Sequence, residues 1–285
     1  MQVLAPGKLF VLGEYAVTDG GPALVAAVDR GVRCHITPGD EIRTPADDRF
    51  ARATLEALAA PARCYTFSDW NPAQLSGKGG FGGSAAACAA AAVAGTLAAG
   101  NPIDQALCEV AVRVHQQVQG SGSGMDVRAS FHGGLRRYQG QDISAPLAAQ
   151  PLIAIYSGAS AKTGPRVQRY KAWPGRAGFV QDSAALVDLF RAEPCRALSE
   201  AYTLLRAMAT EAGLAYETPA LSRIAELAQS YGGAAKPSGA GGGDVAIALI
   251  SDPDARASFT AACALEGLTP VPIQLAPGAK EGPHV

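Results

Sequence analysis

The chain has 285 residues, 24 basic against 25 acidic side chains for a net charge of −1, and 48% hydrophobic residues. The charge balance excludes a general nucleic-acid binder, which needs excess basic charge to neutralise phosphates. The apolar content excludes a disordered chain, because enough surface is available to offset conformational entropy.

The length allows one large domain or two modest ones. The 33 glycines exceed the average share of about 7%, and their placement decides whether they are linker or special backbone sites. Six cysteines, at 34, 64, 88, 108, 195 and 263, form no CxxC pair, which reads as buried, reduced thiols in a cytoplasmic protein. The N-terminus MQVLAPGKLF has neither a basic region nor a sustained apolar core, so no signal peptide is expected. The apolar run at 84–100 is mostly alanine, too weakly hydrophobic for a membrane span, and reads as a close-packed helix.

In chain order, residues 9–12 and 23–28 are short apolar strands. Val32, Cys34 and Ile36 alternate with polar neighbours at the period of a strand. Residues 48–60 read as a helix with acidic residues at its start. A glycine-rich loop at 77–83 leads into the alanine-rich helix, which ends at Asn101-Pro102. Residues 103–119 make the next helix, with Leu107, Val110, Ala111, Val114 and Val118 on one face. A second Gly/Ser loop covers 120–124. A strand is expected at 152–156 after Pro151, then helices at 181–212 and 219–230, the latter ended by Gly232-Gly233. A third glycine loop at 238–243 precedes a strand at 245–250, a helix at 254–266 and a last strand at 271–275. Strands and helices without strict alternation indicate an α+β fold, with a change of domain near residue 150.

Each glycine cluster stands beside a regular element. In Lys78-Gly79-Gly80-Phe81-Gly82-Gly83-Ser84, glycines let successive N–H groups curl inward and the helix N-terminus adds partial positive charge. That is an anion site suited to nucleotide phosphates. Residues 77–82 formally match GxGxxG, but no strand is expected at 71–76 to give the dinucleotide-binding context. Neither Gly7-Lys8 nor Gly77-Lys78 is followed by Ser or Thr, so a Walker A loop is excluded.

Together the loops resemble a family. The stretch at 5–17, APGKLFVLGEYAV, resembles the first motif of the small-molecule kinases of galactose, homoserine, mevalonate and phosphomevalonate, the GHMP kinases. Residues 80–86, GFGGSAA, resemble that family's phosphate loop, and 236–244, KPSGAGGGD, its C-terminal glycine-rich motif. The form of the third motif, Lys78 before the glycines, 115–127 (HQQVQGSGSGMDV) and 157–163 (SGASAKT) are most similar to the phosphomevalonate kinase branch. The resemblance implies a cytoplasmic, ATP- and magnesium-dependent kinase that converts 5-phosphomevalonate to 5-diphosphomevalonate in isoprenoid synthesis. It implies a two-domain fold, an N-terminal half (1–149) like ribosomal protein S5 domain 2 and a ferredoxin-like C-terminal half (150–285). The implied partner is a small phosphorylated molecule, with no nucleic acid and no membrane, and a homodimer is left open.

By the same resemblance Lys8 and Asp126 are the catalytic pair. Lys8 supplies a cation between phosphates. Asp126 either orients Lys8 or contacts a substrate hydroxyl, with a helix cap as the structural alternative. Lys78, Gly79, Gly80, Gly82, Gly83 and Ser84 bind ATP, and Ser84 is the candidate magnesium contact. Ser121, Ser123, Ser160, Thr163, Gly239 and Gly241 face the substrate, with Lys162, Arg128 and Arg166 as further candidates for its phosphate. The chain departs from the family pattern at Gly83, where serine is usual, and at His115, where some members have a metal-binding glutamate; magnesium held mostly by phosphates and water is the alternative. The interval between the first two motifs is short and leaves residues 69–72 as the expected adenine contact. These departures keep open a mevalonate kinase, another GHMP kinase, a diphosphomevalonate decarboxylase, or a nucleotide-binding sensor without turnover.

Overall fold

The computed structural model describes residues 1–45, 47–73, 75, 79–120, 122–160 and 163–282, the side chain of Thr163 excepted. Among these residues the strands form two sheets. The first holds β1 (Gln2–Leu12), β2 (Ala23–Thr37), β3 (Ile42–Arg43), β4 (Cys64–Trp70), β5 (Leu135–Gln139), β6 (Asp142–Ile143) and β11 (Lys280–Glu281), in the order β11-β1-β2-β4-β3, with β5 also on β2. The second holds β7 (Leu152–Tyr156), β8 (Ala234–Pro237), β9 (Val245–Leu249) and β10 (Thr269–Val271), in the order β10-β7-β9-β8, all antiparallel. The expected α+β class is what the chain adopts.

The helices are α1 (Arg49–Ala57), α2 (Gly83–Ala98), α3 (Gln105–Gln119), α4 (Met125–His132), α5 (Thr163–Ala172), α6 (Arg176–Leu189), α7 (Pro194–Glu211), α8 (Pro219–Ser230) and α9 (Pro253–Leu265). The alanine-rich α2 is a core helix, not a surface one. Residues 85, 86 and 88–95 are all buried, and their small side chains let α2 lie close against β1, β2, α1 and α3. No helix among the described residues is long and apolar enough to cross a membrane.

The two expected strands at 23–28 and 32–36 are one continuous strand, β2, and the single helix expected at 181–212 is α6 and α7, broken before Pro194. Proline lacks the N–H that would continue a helix through that point and instead opens α7 at its first turn. The strand expected at 271–275 ends at Val271, beyond which Leu275 keeps a single bridge to Val28. The six cysteines are free, and five of them are buried.

The two sheets share one core. Leu9, Val11 and Leu12 of β1 and Leu24, Ala26 and Val28 of β2 pack with Ala154, Tyr156, Ile247 and Leu249 of the second sheet. Across the same junction runs a buried ion pair. Lys236 on β8 is fully buried, Glu14 just after β1 is 3% exposed, and the Lys236 ammonium donates to Glu14 Oε1 and to the Pro237 carbonyl at 2.8 Å. Burial pushes the Lys236 pKa down, and the Glu14 carboxylate pulls it back up. Removing one partner of such a pair strands a desolvated charge. Lys236→Met is therefore expected to lower unfolding free energy by about 3–5 kcal/mol in urea titration, whereas Arg196→Met, which removes only exposed pairs with Glu193 and Glu200, is expected to leave the midpoint nearly unmoved.

Candidate active site

Between the sheets and α2 lies a cleft of about 780 Å³. Its floor is the first strand. Lys8 is on β1 and is almost buried, and its ammonium stands 3.5 Å from Asp126 Oδ2 and 5.0 Å from the centroid of the Phe10 ring. Asp126 is in the first turn of α4, a helix that the glycine and serine content around 120–124 conceals.

The loop before α2 is clamped from both sides. The Lys8 amide donates to the Phe81 carbonyl at 2.8 Å. Gly82 caps α2 at φ 76°, a conformation that favours glycine, and a Cβ there would stand 2.9 Å from Lys8 Cε, so a side chain would displace the lysine. Gly80, at φ 69°, lies against Asp244, the last residue of the third glycine motif, where a Cβ would come within 2.7 Å of the Asp244 Cβ. At Gly83 a Cβ would meet nothing within 4 Å, so this extra glycine is not sterically required.

Ser84 follows in the first turn of α2, and its Oγ is 3.1 Å from His115 Nε2. His115 is buried; desolvation lowers its pKa, with Asp126 opposing and Lys8 reinforcing the shift, so the ring is neutral near pH 7. The third motif closes the opposite wall. Gly239 donates its amide to Glu14 Oε1 at 3.3 Å, and Tyr15 donates its hydroxyl to the Ala240 carbonyl at 2.7 Å. Tyr15 sits at φ 64°, a strained conformation for an aromatic residue, which these contacts hold.

Of the expected site residues, Lys8, Gly79, Gly80, Gly82, Gly83, Ser84, Ser123, Asp126, Ser160 and Gly239 line this one cleft. Ser123 is also engaged locally, its Oγ accepting from the Met125 amide at 3.4 Å. Gly241 is outside the lining and packs on Tyr216. Lys78, Ser121 and Lys162 lie outside the described residues, as does the Thr163 side chain. Arg128 does not reach the cleft. Its guanidinium is buried against Glu109, which it binds with two donors, and it ties α4 to α3. Arg166 is outside the lining, over Gly242, donating to the Ala215 carbonyl at 3.2 Å. Residues 69–72 do line the far end, with Phe67, Phe50 and Thr44. Tyr15, Ser238 and Arg30 line the cleft as well, beyond the residues expected from the sequence. The first two stand inside the first and third motifs. Arg30, which donates to the carbonyls of Asn71 and Pro272, has no motif to mark it.

Known proteins share this architecture. The family models "GHMP kinases N terminal domain" and "GHMP kinases C terminal" match residues 70–134 and 186–266, together about half of the chain. The phosphomevalonate kinase of a Streptomyces species is 29% identical over 89% of this chain and 90% of its own length. The mevalonate kinase of Methanothermobacter thermautotrophicus is 28% identical over 86% and 88%. The solved phosphomevalonate kinase of Streptococcus pneumoniae, in complex with phosphomevalonate and AMPPNP, superposes with a TM-score of 0.81 over 97% of this chain and 100% of that one, at 21% identity, a likeness of fold.

The contrast between adjacent glycines is testable. Gly83→Ala is expected to stabilise the protein by up to about 1 kcal/mol, since the position is open and helical. Gly82→Ala is expected to destabilise it and to shift Lys8. Urea unfolding of the two variants checks the sign of each change.

Proposed function

Because the chain belongs to the GHMP kinase family, we propose that it transfers the γ-phosphoryl group of ATP to the phosphate of 5-phosphomevalonate, giving 5-diphosphomevalonate and ADP. The observation that carries this reading is the Lys8 ammonium, held at the clamp between the glycine loop and Asp126 with donors to spare. Phosphoryl transfer is catalysed chiefly by positioning and by stabilising charge in flight. A phosphate monoester has a second pKa of about 6 and is already mostly dianionic at neutral pH, so its oxygen attacks without a strong base. The barrier is repulsion. Two unit charges 4 Å apart repel by about 4 kcal/mol at an effective dielectric of 20, and each phosphate carries more than one. A cation between donor and acceptor matters more than proton abstraction.

In this reading the nucleotide phosphates lie over residues 79–84 at the N-terminus of α2, where amides and the helix dipole favour anions. The base lies toward residues 69–72, which line that end of the cleft. The acceptor lies past Lys8 toward Tyr15, Val17, Thr18 and Ser160, which line that end of the cleft. Asp126 holds Lys8 in line. The Asp126 carboxylate and the Ser84 hydroxyl are hard oxygen donors that fit magnesium arriving with the nucleotide, an ion that keeps several waters and takes few protein ligands. When bound, the ion neutralises charge on the phosphate oxygens. The proposal includes the division into two halves at residues 149 and 150, with β11 of the second half returning to the first sheet.

A second reading is mevalonate as acceptor, favoured by the mevalonate kinase relative and by the partial exposure of Asp126. There the acceptor is a hydroxyl, and Asp126 takes its proton.

A coupled ADP-release assay with mevalonate and 5-phosphomevalonate separates the two. Turnover on 5-phosphomevalonate is expected, and turnover on mevalonate alone would overturn the first reading. ATP binding without turnover on either would leave a sensor. Lys8→Met is expected to lower kcat by about a hundredfold or more with nucleotide affinity largely kept. A near-normal rate removes Lys8 from its role.

A further inference from the structure

Behind Ser84 stands a group that the proposed reaction does not itself use. His115 reaches out of α3, its ring 5.2 Å from that of Phe50 and 3% exposed. Its Nε2 meets Ser84 Oγ at 3.1 Å, while its Nδ1 is buried with no hydrogen-bond partner among the described residues.

Those two facts fix the tautomer. A neutral imidazole has one N–H and one lone pair. With the proton on Nδ1, a buried donor would be orphaned, the rarer and costlier failure; with the proton on Nε2, only an acceptor lone pair is left bare. The Nε2–H therefore donates to Ser84 Oγ. The hydroxyl oxygen receives that bond, so its own proton is directed away from His115, toward the cleft that Ser84 lines.

We propose that His115 is a positioning residue that fixes the Ser84 hydroxyl as a hydrogen-bond donor to a nucleotide phosphate oxygen. The proposal rests on the nucleotide reading given above. A carboxylate at position 115 would do the opposite. It only accepts, so it would turn the Ser84 proton inward, and it would add negative charge beside the phosphates. An imidazole in that place adds no charge and leaves the serine proton for the ligand. Gly83, which brings no hydroxyl of its own, makes Ser84 the hydroxyl that this turn offers.

The test is a double-mutant cycle read by calorimetric binding of magnesium-free ATP, with kcat and KM measured beside it. Ser84→Ala and His115→Phe are each expected to weaken ATP binding about tenfold, the loss of one hydrogen bond to a charged group. The double variant is expected to bind within about threefold of Ser84→Ala, since His115 acts only through the serine. His115→Gln, whose amide donates, is expected to stay within about threefold of the unaltered protein. Losses that multiply in the double variant overturn the proposal, as does His115→Phe binding ATP normally. If His115→Phe does not fold, His115→Gln is compared with His115→Met, and equal affinities overturn it. An unaltered chain that binds no ATP overturns the nucleotide reading and the proposal with it, a failure distinct from the others.

Discussion

The Glu14–Lys236 pair is the interaction on which the cleft depends. It is fully desolvated, so neither charge tolerates the loss of the other. Its two ends belong to different sheets, one at the exit of β1 and the other on the edge strand β8. The same carboxylate also accepts from the Gly239 amide. One oxygen atom thereby fixes the distance between the first strand and the third glycine loop. Tyr15, next in the chain, repeats the link through Ala240 and takes a strained backbone to do so. The strain is local and its benefit is shared, because both contacts set the wall that faces Lys8.

From that frame the close approaches follow. The loop before α2 lies between Lys8 below and Asp244 beside it, and both contacts fall at glycines with positive φ. Side chains there would push the loop off β1 and take the first turn of α2 with it. The alanines behind the loop serve the same end. Small side chains let α2 sink onto the sheet, so that its N-terminus points into the cleft instead of over it. Composition and site geometry are one design in this half of the molecule.

How much of this is legible in the sequence varies with the physics of each piece. The strand at 152–156 and the helix at 219–230 are readable to the residue, since a bounded apolar run and a capped amphipathic repeat are local signals. The helix α4 escapes such reading because it is short and opens out of a Gly/Ser loop, with Arg128 and Ser130 buried on what ought to be polar positions. The strand β4 escapes it because its alternation of Tyr65 and Phe67 with Thr66 and Ser68 is short and breaks at Asp69-Trp70. The glycine loops are legible as three separate clusters. That they meet at one site is legible only through the family resemblance, because residues 14 and 236 are 222 positions apart and no local pattern marks them as partners. Arg128 shows the reverse failure. A cation near a motif looks available, yet its charge is consumed by Glu109.

The balance of charge in the cleft points to how it must work. Among the described lining residues the cations are Lys8 and Arg30, and the guanidinium of Arg30 is spent on backbone carbonyls at the far end. Glu14, Asp47, Asp69, Asp126 and Asp244 line the same space. A pocket so furnished does not hold a nucleotide triphosphate by side-chain charge from these residues. In the proposed reading, the groups among the described residues that suit the phosphates are the backbone amides of the glycine loop, the dipole of α2 and the Ser84 hydroxyl, with a metal ion that travels with the phosphates. In that reading Lys8 is the cation among the described residues that stands nearest the transfer, and Asp126, 3.5 Å from its ammonium, orients it.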